Sequence, residues 1–166
     1  MSETDGASTP FRVCFVCTGN ICRSPIAEAV FRSHVERAGL GGRVAGDSAG
    51  TGGWYAGEPP EPDALDVLAA HGVDGSWLRA RQFDVAELAT LDLVIALDRG
   101  HHGILTSRAG PHAGKVRLLR EFDPGADGLD VPDPYRGPRE GFEHVYRLVE
   151  AAMPGLLDRI RADLGG

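Results

Sequence analysis

Cysteine runs out early in this chain. Cys14, Cys17 and Cys22 lie within nine positions, and none follows among the 166 residues. An odd count without a secretion signal excludes a structural disulfide framework and points to reactive thiol chemistry. Zinc would need four ligands with a second pair downstream, and the spacing of His101–His102 matches no familiar pattern. Positive charge is scarce too: 17 Lys and Arg face 24 Asp and Glu, for a net charge of −7, and Lys115 is the only lysine. That balance argues against nucleic acid as a general partner, while an anionic substrate stays open if its site is locally positive.

Long apolar runs are also missing. Leu93–Leu97 is among the longest, far below the roughly 18–20 residues of a membrane span, so no membrane association is expected. Met1 to Pro10 is polar, without the basic start and apolar core of a signal peptide. The chain is therefore expected in the cytoplasm, as a flexible tail over 1–10 and a single domain over 11–166. A monomer is expected, with no cofactor and no metal.

What is present alternates. Phe11–Cys17 reads as a buried strand. Ser24-Pro25 then looks like an N-cap and first helical position, and apolar residues recur at helical spacing from Ala27 to Ala38 before Gly39. Val44–Ala49 is a second strand, Asp63–His71 a helix closed by Gly72, and Asp84–Leu91 a short helix capped by Asp84. Asp92–Leu97 is a third strand with Asp98 as the next N-cap, and Val116–Leu119 a fourth. Between Gly50 and Pro62, and between Arg120 and Pro138, run two loops. Arg139–Leu164 is a long amphipathic helix that Pro154 should kink. Alternation of this kind implies an α/β fold with a parallel twisted sheet covered on both faces, and ligands beyond the strands' carboxyl ends.

The loop after the first strand falls at such a place. It reads Cys17-Thr18-Gly19-Asn20-Ile21-Cys22-Arg23-Ser24. Five residues between Cys and Arg can curl so that their amides face inward as a nest for phosphate oxygens. The helix behind adds partial positive charge, which favours the Cys17 thiolate as a nucleophile toward phosphorus. Arg23 can grip two oxygens at once. Gly19 allows backbone conformations closed to other residues, and Ser24 can both cap the helix and donate to the sulfur. Cys14, inside the strand, reads as core.

Val16 to Glu28 closely resembles the signature loop of the low-molecular-weight protein tyrosine phosphatases. Asp47 to Thr51, Trp54, Arg79 to Gln82, Asp98-Arg99 and Asp133-Pro134-Tyr135 fit the same family, so the likeness spans about Arg12 to Leu164. It implies a four-stranded parallel sheet with helices on both faces, and phosphotyrosine hydrolysis on tyrosine-phosphorylated proteins. Cys17 would carry a cysteinyl-phosphate, Arg23 would bind phosphate, and Asp133 would protonate the departing phenol and then act as base for water. Thr18, Gly19, Asn20, Ile21, Cys22 and Ser24 would line the phosphate site. Ser48, Glu28 and His71 would support the loop with Asn20 and Ser24. Read without the likeness, Ser48 is a strand-end hydroxyl and His71 a helix-end residue facing the dipole.

Trp54, Tyr55 and Tyr135 are loop aromatics that either pack singly or wall a slot for a phenyl ring. Arg136 stands where many family members have a second aromatic, and it would favour acidic peptides. Cys22 either fills space or forms a reversible disulfide with Cys17. Arsenate reduction, the nearest rival activity, needs relay cysteines beyond Cys22. Phosphoarginine-hydrolysing relatives carry Thr where this chain has Ile21. A capture module without turnover would lack a nucleophile or an acid.

If Asp133 is the acid, it must hold its proton when substrate arrives, so turnover should fall as alkali removes it. A pH–rate profile with a phosphotyrosine peptide tests this. A rate unchanged from about pH 5 to about pH 9 would defeat the assignment.

Overall fold

The computed structural model describes residues 9–165; the tail expected over 1–10 lies, for residues 1–8, outside the described residues. Four strands build one parallel sheet: β1 (Phe11–Cys17), β2 (Val44–Gly50), β3 (Leu93–Ala96) and β4 (Val116–Leu118). Their spatial order is β2-β1-β3-β4. The helices α1 (Arg23–Arg37), α2 (Pro62–Ala70), α3 (Arg99–Ala109) and α4 (Arg139–Gly165) connect and cover them.

The two-residue period of β1 explains the layering. Val13, Phe15 and Cys17 point into one core with residues of α1, α2 and α4, whereas Cys14 and Val16 point into the other with Leu105 and Ala109 of α3. Cys14 is fully buried, as its place in the strand predicted. In β3 all four residues are buried, the continuous apolar signature of a strand covered on both faces.

β1 is where the winding reverses. The chain leaves it through α1 to β2 on one side and returns through α2 to β3 on the other. The crevice beyond its carboxyl end is the expected ligand position in such a sheet, and Cys17 is the last residue of β1.

Most boundaries shift by a residue or so from the sequence reading. β2 gains Gly50, β3 loses its end residues, and Leu119 passes from β4 into a 3-10 turn over Leu119–Phe122. α2 starts at Pro62 and leaves His71 at its C-cap. Asp84 and Asp98 cap as expected, Asp84 over the 3-10 helix Val85–Ala89 and Asp98 over α3.

Ser24 is a correction. Helix α1 begins at Arg23, its N-cap position is Cys22, and no side chain caps it. The Ser24 hydroxyl is committed to the loop in front instead.

α4 runs from Arg139 to Gly165 with Pro154 inside it, and the predicted face, Phe142 through Ile160, is the buried one. Beside that proline, Gly155 faces the Phe122 carbonyl oxygen so closely that a Cβ would lie inside it. Backbone cannot yield as a side-chain tip does. Gly155→Ala should therefore cost about 1–3 kcal/mol despite alanine's better helix propensity. Urea unfolding would show it as a lower midpoint at unchanged slope, and an equal or higher midpoint would refute the close approach.

Candidate active site

Beyond the end of β1 lies a cavity of about 350 Å³ lined by Cys17, Thr18, Gly19, Ile21, Cys22, Arg23, Trp54, Tyr55, Asp133 and Tyr135. Six of the eight loop residues from Cys17 to Ser24 and a carboxylate more than a hundred positions away are thereby gathered in one place. Asn20 and Ser24, expected to touch substrate, lie behind that lining with their side chains buried.

Their work is to fix the loop. The Arg81 amide donates to Asn20 Oδ1 at 2.9 Å, which sets the direction of the Asn20 amide. Both Nδ2 hydrogens then go to hydroxyls, Ser24 Oγ at 2.8 Å and Ser48 Oγ at 3.0 Å. Each hydroxyl accepts here and still has its own hydrogen to donate. Ser48 donates to Glu28 Oε1 at 2.6 Å. Ser24 Oγ lies 3.0 Å from Cys17 Sγ, where either atom can donate, and 3.4 Å from the Ala49 carbonyl that can accept from it, while the Ser24 backbone amide reaches the sulfur at 3.5 Å. A chain of bonds starting at a backbone amide thus ends at a hydroxyl set beside the sulfur.

Asn20 itself takes φ of 62°, the left-handed conformation that Asn tolerates better than most residues. This corrects the reading of Gly19, whose φ is not positive. Gly19 is small because a Cβ would press within 2.8 Å of the Tyr55 ring.

His71 is a second correction. It takes no part in this network. Its Nε2 meets Glu143 at 2.8 Å and its ring stacks on Tyr146 at 3.8 Å, so it fastens the end of α2 to α4.

Arg23 is 4% exposed, and its charge is answered locally. Nη1 donates to Asp98 Oδ2 and to the Val131 carbonyl, both at 2.9 Å. Nη2 reaches Thr18 Oγ1 at 3.5 Å and lies 3.7 Å from Asp133 Oδ2. With Nη1 consumed by the protein, the Nε and Nη2 edge is the one left to grip two oxygens of a tetrahedral anion.

Asp133 is half-exposed, and its Oδ1 accepts from the Tyr135 amide at 3.0 Å. Tyr135 meets Tyr55 hydroxyl to hydroxyl at 3.1 Å, with ring centroids 6.3 Å apart. These two rings and the exposed Trp54 form the aromatic rim. Arg136 holds its guanidinium 5.3 Å from the Tyr135 ring centre.

Cys14, Cys17 and Cys22 are all free thiols. Burial first, then the neighbouring Cys17 sulfur and Asp133, push the Cys22 thiol up to about 12. Cys22 is therefore no rival nucleophile. Among the described residues no group of three His, Cys, Asp or Glu side chains could hold a metal ion, and no helix is long and apolar enough to cross a membrane.

Sequence reasoning missed Arg81 as the amide that orients Asn20, Val131 as a carbonyl partner for Arg23, and His101. The last had a local signal, since it lies three residues after the capping Asp98.

A thiol at the end of a parallel strand, facing a buried guanidinium and an aspartate at one cavity, defines a cysteine-dependent phosphatase of the α/β class. Residues 12–165 match the family model "Low molecular weight phosphotyrosine protein phosphatase", and the chain belongs to that family. It is 56% identical over 160 residues to a low molecular weight protein-tyrosine-phosphatase of Streptomyces coelicolor, covering 94% of this chain and 97% of that one. The crystal structure of YfkJ from Bacillus subtilis superposes with a TM-score of 0.87 at 38% identity, covering 95% and 98% of the two chains. A mutant of the YwlE arginine phosphatase with a phosphorylated active site serine superposes at 0.82 with 31% identity, covering 92% and 97%.

Glu28 supplies a pH test of the network. Burial raises its carboxyl from 4.5 to about 7, against the lowering effect of the Ser48 bond. The folded protein then holds this proton more tightly than the unfolded chain. The stabilisation is complete below about pH 4.5 and is lost as pH rises through about 7. Relative to Glu28→Gln, the wild type should lose about 1–3 kcal/mol across that window. Denaturation curves for the two proteins across that pH range measure it, and parallel pH dependences would contradict a buried Glu28.

Proposed function

We propose that this chain hydrolyses phosphotyrosine in proteins through a cysteinyl-phosphate, with Cys17 as nucleophile, Arg23 as phosphate ligand and Asp133 as acid and base. The observation that carries the reading is the meeting of Cys17, Arg23 and Asp133 around one cavity, with Asp133 Oδ2 3.7 Å from Arg23 Nη2.

The steps follow from that geometry. The Cys17 thiolate attacks phosphorus while the ester oxygen departs and takes the proton of Asp133, leaving phenol and a phosphorus–sulfur bond. Arg23 and the loop amides stabilise the charge spread over the three equatorial oxygens. Asp133, now a carboxylate, removes a proton from water as that water attacks phosphorus. The sulfur leaves as a thiolate, and the hydrogen bond donated by Ser24 eases its departure. Inorganic phosphate is released and Asp133 is again protonated.

Tyr55, Tyr135 and Trp54 support an aromatic substrate. They stand at the rim of the cavity while Cys17 is only 2% exposed at its floor. A phenyl ring between rim and floor carries phosphorus to the sulfur, and the shorter side chain of phosphoserine falls short. Ile21 lines the same cavity and supports phosphotyrosine over the more polar phosphoarginine. We further read residues 11–166 as one catalytic domain acting as a cytoplasmic monomer.

Hydrolysis of matched phosphotyrosine, phosphoserine and phosphoarginine peptides by wild type, Cys17→Ser and Asp133→Ala tests the reading. Wild type should prefer the phosphotyrosine peptide by at least about a hundredfold. Cys17→Ser should be inactive on all three. Asp133→Ala should lose about 10²–10⁴-fold on the peptide, and much less on an activated aryl ester that needs little protonation. Equal peptide turnover by Asp133→Ala and wild type would remove the assigned acid.

A further inference from the structure

His101 is buried to 4% exposure in the first turn of α3, an unusual place for an imidazole without a task. Its Nε2 lies 2.8 Å from Thr18 Oγ1, a side chain at the mouth of the catalytic cavity. Its Nδ1 lies 3.1 Å from Asp98 Oδ1, within ionic reach but out of line for a full hydrogen bond. Asp98 Oδ1 is already taken by the His101 backbone amide at 2.8 Å, and Asp98 Oδ2 holds Arg23.

These contacts close a ring of four side chains: Arg23, Asp98, His101 and Thr18. One arrangement of protons keeps the Thr18 hydrogen inside it. Arg23 has donors alone, so Thr18 Oγ1 accepts from Nη2 and has its single hydrogen free. In that arrangement the hydrogen goes to His101 Nε2, which is then the unprotonated nitrogen. The imidazole proton then sits on Nδ1, facing the Asp98 carboxylate. A proton on Nε2 would instead make Thr18 Oγ1 accept from both sides and turn its hydrogen out of the ring.

We propose that His101 is a positioning residue for the phosphatase reaction, a neutral imidazole that fixes the Thr18 hydroxyl and thereby the free edge of Arg23. The inference rests on the reading of Arg23 as phosphate ligand. Electrostatics agree with a neutral ring. Burial first, then the charge of Arg23, lower the imidazole to about 4, against the opposite pull of Asp98, Asp133 and Asp130. Those groups reach His101 from α1, from the turn before α3 and from the loop carrying the acid.

The test compares vanadate, which takes the five-coordinate geometry of the transferring phosphoryl group, with inorganic phosphate as ground-state ligand. His101→Leu removes the acceptor for Thr18, whereas His101→Gln keeps one near the position of Nε2. Vanadate inhibition should weaken about tenfold in His101→Leu, a loss of about 1.4 kcal/mol, with kcat falling in parallel. Phosphate inhibition should change by less than about threefold, and His101→Gln should recover most of the vanadate affinity. Thr18→Val should weaken vanadate alike, and adding it to His101→Leu should cost nothing further, since both cut one bond.

Unchanged vanadate inhibition in a folded His101→Leu, or fully additive effects, would overturn the proposal. Arg23→Ala in the same assay separates the two readings. If it keeps wild-type vanadate affinity, the role of Arg23 itself fails. If it loses that affinity while His101→Leu does not, only the role of His101 fails. Should His101→Leu not fold, nitrogen NMR of the wild-type imidazole decides. A proton held on Nδ1 alone from about pH 5 to about pH 8 is the expected signature. An Nε2 proton, or titration inside that range, contradicts it.

Discussion

The site depends on one buried cation. Arg23 is carried on the first turn of α1 and is almost entirely removed from solvent. A desolvated guanidinium without partners would cost several kcal/mol, so the fold must bring acceptors to it. It brings them from two distant places, Asp98 after β3 and the Val131 carbonyl in the loop before α4. The Val131 amide in turn donates to Leu97, which ties that loop to the end of the neighbouring strand. Asp133 is two residues further along. Satisfying the charge of Arg23 is therefore also what brings Asp133 to the cavity that holds Cys17. Asp130 strengthens the anchorage, since its carboxylate meets Arg99 and its carbonyl accepts from Arg120.

The other side of the loop is held by neutral groups. Asn20, Ser24 and Ser48 are buried hydroxyls and an amide whose donors and acceptors are matched one by one, and a partly satisfied version would be worse than an apolar filling. The two halves have different tasks. The Asn20 chain finishes on the sulfur and sets its hydrogen bonding, while the Arg23 ring finishes on the guanidinium and sets its orientation. Thr18 and Ser24 stand at opposite ends of one short loop, and each hydroxyl is the last link of its own network. Both networks reach back to the sheet and the helices, through Ser48 of β2, Glu28 of α1 and His101 of α3.

How much of this was legible in the sequence follows from how local each signal is. β1, β3 and the buried face of α4 were read nearly as they stand, because periodicity reports what a residue faces. The spacing of Cys17 and Arg23 with a helix behind them was legible for the same reason, since it is a single short segment. Asp133 was not legible from the residues themselves. One aspartate among 24 acidic side chains carries no mark of its partner, and it was reached only through the family likeness. The failures are contests between a local rule and a distant group. Ser24-Pro25 has the composition of a helix start, yet the sulfur of Cys17 and the amide of Asn20 claim the hydroxyl. His71 sits at a helix end, and Glu143 and Tyr146, over seventy residues away, decide its contacts. Arg81 acts through its backbone amide, which no side-chain pattern encodes.

The same logic reaches the rim. Tyr55 belongs to the loop after β2 and Tyr135 to the loop before α4, and their hydroxyls touch across the cavity mouth. Tyr135 also donates its amide to Asp133. On the function proposed above, the wall that receives the substrate ring is thus bonded to the residue that protonates the leaving oxygen. A ring entering against Tyr135 would meet the segment that holds Asp133, so substrate shape and acid placement would be read by one stretch of backbone. Selectivity for an aryl phosphate then arises where the proton is delivered as well as in the depth of the slot. A short alkyl phosphate that reached the floor would still leave Tyr135 without a ring to pack against.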